Sequence, residues 1–126
     1  MSEKVEVSSE ELSLLVAKGM LEKKAEDVVI VDLRKIGTAV ADFFVICSGN
    51  SDTHVDSISE SVDKFTFQNT STNPWHSEGK SNNEWVLLDY VDVVAHIFKK
   101  EKRDFYGLES LWGDAKIHSL EGEGTK

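Results

Sequence analysis

Three ionisable side chains stand inside a run that otherwise has the composition of buried strand. From Trp85 to Phe98 the chain reads W-V-L-L-D-Y-V-D-V-V-A-H-I-F, which sets Asp89, Asp92 and His96 among aromatic and β-branched residues. Burying a charge without a partner is costly, so these groups are either paired within the fold or placed on a face that meets something else. Acids so placed could hold metal ions around a transferring phosphate, but that chemistry needs several carboxylates on one face. Asp89 and Asp92 are three positions apart and point opposite ways on a straight strand; they converge only if the chain turns at Tyr90 and Val91. Asp32 and Asp42 each stand alone in their own apolar runs. His96 follows Asp92 by four positions, a spacing that predicts a buried Asp–His hydrogen bond holding the strand. A catalytic dyad would also need a nucleophile, and none stands in the pattern.

The other candidate groups are weaker still. His54, His76 and His118 are scattered, with no local pair at ligand spacing. Cys47 is the only cysteine, which excludes an internal disulfide, and it ends an apolar run where a thiol is inert. Ser48-Gly49-Asn50-Ser51 joins a strand to a helix start, where backbone N–H groups can hold an anion. It lacks the lysine and glycine density of a phosphate-binding loop and reads as a capped turn. No catalytic residue, metal or cofactor is expected.

What remains is binding. On an extended strand Trp85, Leu87 and Asp89 share one face, and Val86, Leu88 and Tyr90 the other. Val86 and Leu87 read as core. Trp85 follows a polar turn and Tyr90 sits at the expected bend, both near a sheet margin. Aromatic residues beside acids at a margin make a binding hot spot.

Elements must position these groups, and the sequence supplies them in order. Ser8 and Glu11 form a capping box ahead of a helix with Leu12, Leu15, Val16 and Met20 on one stripe. Residues 28–33 and 39–47 read as central strands covered on both faces. Ser51 caps a second helix carrying Val55, Ile58, Val62 and Phe65. A polar connection then closes on Pro74, residues 75–78 form a short edge strand, and residues 80–83 a turn. Residues 85–98 supply two strands. A closing helix carries Phe105, Leu108, Leu111 and Trp112. This order predicts an α+β fold, a mixed sheet of about five strands packed with helices.

At 126 residues the chain is one domain, expected over residues 9–117 between a flexible arm (1–8) and a disordered tail (118–126). Fourteen basic against 23 acidic residues give a net charge of −9, which argues against direct DNA binding and suits a basic partner. No apolar run is long enough for a membrane span, and the acidic N-terminus is unlike a targeting peptide, so a cytoplasmic location is expected.

The run W-V-L-L-D-Y-V-D-V-V-A-H-I-F, then R-D-F-Y-G-L-E-S-L-W, with A-D-F-F-V-I-C-S-G-N-S-D-T-H-V upstream, closely resembles the ribosomal silencing factor (Iojap-like) family. The resemblance implies the nucleotidyltransferase-like version of the α+β fold. It also implies a non-enzymatic translation repressor that binds the large ribosomal subunit through ribosomal protein fourteen and hinders joining with the small subunit when nutrients are scarce. Carried onto this chain, the partner-binding surface centres on Trp85, Leu88, Asp89, Tyr90 and Asp92. The aromatic and aliphatic members would supply buried area and the acids would meet basic side chains. Gly49, Glu78 and Gly79 match structural positions. Val91 stands where the family has glycine; since a β-branched residue disfavours positive φ, the bend is expected at Asp92 or in a more open form. A role in large-subunit biogenesis, a nucleotide-binding enzyme on the same fold, and homodimerisation are left open.

Overall fold

A computed structural model describes residues 7–37, 39–102 and 116–120. The first helix, α1 (Ser9–Glu22), starts where the sequence places its cap: Ser8 Oγ accepts the Glu11 N–H at 3.0 Å and Glu11 Oε1 accepts the Ser8 N–H at 3.2 Å. Two of the orphan donors at the helix start are thereby satisfied. The second helix, α2 (Asp52–Thr70), is capped by Ser51, whose Oγ accepts the His54 N–H at 3.1 Å. It ends at Ser71 in the left-handed region, with φ of 58°.

The helices touch each other through glycine. A Cβ at Gly19 would lie 2.9 Å from the Val62 Cα, so a larger residue would force α1 and α2 apart. Ser61 Oγ donates to the Gly19 carbonyl at 2.7 Å and locks this close approach.

Among the described residues six strands form one sheet: β1 (Glu26–Asp32), β2 (Phe43–Gly49), β3 (His76–Glu78), β4 (Trp85–Asp89), β5 (Val93–Lys99) and β6 (Lys116–Leu120). Their order across the sheet is β3-β4-β5-β2-β1-β6. β2 and β5 are parallel; every other pairing is antiparallel. This is the expected mixed α+β arrangement. The strand at the sheet edge ahead of the polar turn is also present, as β3.

Alternation along the strands splits the apolar residues between two faces. One face carries Val28, Ile30, Val45, Cys47, Val86, Leu88 and Ile97, packed with Leu12, Val16 and Met20 of α1 and Val55, Ile58 and Val62 of α2. The other gathers Val29, Val31, Phe44, Ile46, Val94 and Phe98, with Trp85 and Leu87 against them. β2 is buried along its whole length, as a strand covered on both faces must be.

Two expectations change. His118 to Leu120, expected to begin a disordered tail, instead pair antiparallel with β1, Val28 opposite Leu120 and Ile30 opposite His118. His118 and Ser119 are polar and exposed, and only Leu120 packs against the core, because β6 is an edge strand held by backbone hydrogen bonds. The second strand begins at Phe43 rather than Ala39, since Ala41 and Asp42 bend to meet the turn before β5: the Asp42 and Phe43 N–H groups donate to the Asp92 carbonyl at 2.8 and 3.2 Å. Residues 100–102 are helical. The closing-helix positions Phe105, Leu108, Leu111 and Trp112 lie outside the described residues.

Candidate partner-binding face

β4 presents its two faces differently. Val86, Leu88 and Tyr90 point at the helices and are buried, whereas Trp85, Leu87 and Asp89 are half-exposed on the opposite side. Leu88 and Tyr90, expected to meet a partner, are therefore core residues. Tyr90 is anchored there by its hydroxyl, 3.0 Å from Thr66 Oγ1 on α2, and burial pushes its phenol well above the usual range. Trp85, Asp89 and Asp92 remain on the accessible side, with Asp92 exposed in the turn.

Trp85 is held in place rather than left free to rotate. Its ring stacks on Phe98, directly opposite in the ladder, with centroids 5.1 Å apart and planes 25° apart. Its indole N–H donates to Nδ1 of His96 at 3.0 Å. An indole N–H can only donate, so Nδ1 is the acceptor and the proton of the neutral ring sits on Nε2. Nε2 has no hydrogen-bond partner among the described residues. His96 is 4% exposed, Phe44 meets it edge-on at 4.5 Å, and burial pushes its pKa down to about 4. The ring is thus a neutral acceptor that fixes Trp85.

The expected Asp92–His96 bond is not formed. Asp92 lies in the turn before β5, so counting by twos along a strand does not connect it to His96.

That turn is tight. The Asp92 N–H donates to the Tyr90 carbonyl at 3.0 Å across Val91, whose φ is +80°. A three-residue turn with its central residue at positive φ is strained, and more so for a β-branched side chain. Val91 therefore makes the bend itself, contrary to expectation. Two neighbours hold it: Asp89 Oδ1 accepts the Val91 N–H at 2.7 Å, and the Tyr90 N–H donates to the Val93 carbonyl at 2.8 Å. Strain of this kind costs of order 1–3 kcal/mol and persists only where the surroundings over-determine it.

The preceding hairpin depends on Gly79, at φ of +86°. A Cβ there would collide with the Trp85 carbonyl oxygen, so only glycine lets the β3–β4 connection pass beneath Trp85. Glu78 is exposed and pairs with His76 at 2.7 Å.

The remaining candidate groups are occupied structurally. Asp32 takes both Nε and Nη2 of Arg34, at 3.0 and 2.7 Å, and those hydrogen bonds hold its pKa at about 2. Asp42 accepts from Ser9 Oγ at 2.7 Å. In the loop after β2, the Asn50 N–H donates to His54 Nδ1 at 2.8 Å, and His54 Nε2 lies 2.7 Å from the Lys23 carbonyl. A donor that would have faced an anion is thereby used within the protein. Cys47 is buried. Among the described residues no three His, Cys, Asp or Glu side chains gather to hold a metal ion. No helix among them is long and apolar enough to cross a membrane.

Val40, Trp75, Val91 and Val94 line an open hollow of about 310 Å³ beside Asp89. The signal that could have found it was Trp75 next to the only proline, a large aromatic in a polar connection.

The family model for the ribosomal silencing factor during starvation matches residues 6–126. The chain belongs to the ribosomal silencing factor family. It is 41% identical over 116 residues to the ribosomal silencing factor RsfS of Halalkalibacterium halodurans, covering 92% of this chain and 97% of that one. A crystal structure of a Chromobacterium violaceum protein superposes with a TM-score of 0.80 at 28% identity, covering 94% of this chain and 98% of the other. A more distant relative is the mouse protein named for mitochondrial assembly of the ribosomal large subunit, 33% identical over 73 residues, covering 56% of this chain and 32% of that protein. The family and its Halalkalibacterium halodurans relative are named for silencing of the ribosome, a regulatory role.

Proposed function

We propose that this protein represses translation by occupying the large ribosomal subunit at ribosomal protein fourteen, so that the small subunit cannot join when nutrients are limiting. The observation that carries this reading is the face of β4. A clamped, half-exposed Trp85 stands on the same side as Asp89, next to exposed Asp92, on a chain of net charge −9. An ordered aromatic flanked by acids suits a basic, partly apolar protein surface. Leu88 and Tyr90 serve it from behind by fixing β4 on the helices.

The mechanism is steric. A domain of this length has a radius of gyration of roughly 14 Å and is about 35 Å across. A body of that width at a subunit-joining surface cannot fit within a close-packed joint, so occupancy alone sets the effect and no catalytic step is needed.

A second reading, assistance in large-subunit assembly, is favoured by the name of the mouse relative and uses the same surface. Co-sedimentation with purified large subunits, small subunits and their mixture tests the proposal. Pelleting with large subunits alone, and a reduced yield of joined ribosomes, is expected. Equal pelleting with both subunits, or normal joining at saturating protein, defeats it. Binding without any effect on joining, together with accumulation of immature large subunits in a deletion strain, would favour assembly.

A further inference from the structure

We infer that the hollow beside the Val91 turn is a socket for a single arginine side chain presented by a basic protein. The inference takes from the proposal above only the class of partner; the socket itself rests on separate residues. Val40, Trp75 and Val91 are 87%, 75% and 56% exposed, the most exposed large apolar side chains among the described residues, and they converge on one hollow. Val94 forms its floor, and Asp89 is the only charged residue among the described residues that line it. About 310 Å³ is at the lower bound of ligand pockets, too small for a folded element and suited to one long side chain.

The chemistry of the walls selects the occupant. Three apolar side chains suit a methylene stem, and the exposed indole of Trp75 offers a face on which a planar guanidinium stacks. Asp89 spends Oδ1 on the Val91 N–H, while Oδ2 has no hydrogen-bond partner among the described residues. The backbone N–H of Trp75 donates to the backbone carbonyl of Asp89 at 2.7 Å, which holds the two residues side by side. Val91 supplies the opposite wall only because its backbone is held at φ of +80°, where the family resemblance has glycine. A strained residue that turns an apolar side chain into a hollow is what a built clamp looks like.

Amide-resolved NMR of the full chain, titrated with n-butylguanidinium, n-butylammonium and n-pentanoate, tests this without any ribosome present. Saturable shifts are expected at the Trp75 indole N–H and at the amides of Val40, Asp89 and Val91 with n-butylguanidinium. The ammonium should bind more weakly, and pentanoate should leave these signals still. Trp75→Ala and Asp89→Asn should each weaken the guanidinium at least about fivefold, as should Val91→Gly, which keeps the turn and removes the wall. Unshifted amides of buried Val45 and Ile58 report that each variant is folded. No saturable shift, equal shifts with pentanoate, or an unaffected Asp89→Asn protein would overturn the socket. Ammonium binding as tight as guanidinium would overturn arginine as its occupant. If large subunits fail to bind while the guanidinium titration succeeds, the socket stands and the ribosomal reading falls. The reverse pattern removes the socket and leaves that reading intact.

Discussion

The indole N–H of Trp85 and Nδ1 of His96 lie 3.0 Å apart on neighbouring strands, and this one bond makes a buried histidine the support of a surface tryptophan. The burial of that histidine also makes the fold sensitive to acid. The folded pKa of His96 is about 4 against 6.5 for the free side chain, so between these values the unfolded chain binds the extra proton. The stabilisation is complete above pH 6.5 and is lost as pH falls toward 4, by up to about 3 kcal/mol. Denaturant unfolding from pH 7 to 4 should show this loss. In His96→Gln the slope over that window should flatten, because the titrating ring is gone.

Trp85 and Tyr90 should fail by different routes. Trp85→Ala removes a half-exposed anchor, and large-subunit binding is expected to fall by about thirtyfold, or 2 kcal/mol, per folded molecule. Tyr90→Ala empties a core site and should cost about 3–5 kcal/mol of stability, while its folded fraction binds like wild type. Thermal unfolding and subunit binding measured on the same samples separate the two.

Asp89→Asn keeps an oxygen for the Val91 N–H and removes only charge. Stability should stay within about 0.5 kcal/mol of wild type, and the same holds for Asp92→Asn in the turn. Association with large subunits should slow, and its dependence on salt should flatten, for both variants. Stopped-flow binding at two ionic strengths reads this directly.

Gly19→Ala places a methyl 2.9 Å from the Val62 Cα. The helices must separate, and the Ser61 bond to the Gly19 carbonyl must lengthen. A loss of about 1–3 kcal/mol in denaturant midpoint experiments is expected, although alanine is the better helix former in isolation.

Features determined by local chemistry were legible in the chain. The caps at Ser8 and Ser51, the amphipathic stripes of α1 and α2, and the alternation along β4 all follow from neighbours within a few residues. Which face of β4 would be covered was not legible, because both of its faces carry large apolar residues and only the helices decide. Leu88 and Tyr90, which the resemblance sets on the partner surface, lie on the side that the helices cover. The Val91 turn was hidden for the opposite reason: local preference argues against it, and the bonds from Asp89 and Tyr90 override that preference. β6 escaped notice because an edge strand needs no apolar pattern, only a partner's backbone.

The parallel pairing of β2 with β5 has a consequence for how fast the molecule forms. It joins Phe43 to Val93, about fifty positions apart, with α2, β3 and β4 in between. Contacts this remote in sequence cannot form until a long loop closes, which places folding toward the slow, millisecond-to-second end for small domains. Until then β2, apolar along most of its length, lacks the neighbour that seals one side. An unpaired apolar strand is a site for association between chains, so aggregation should compete with refolding as protein concentration rises.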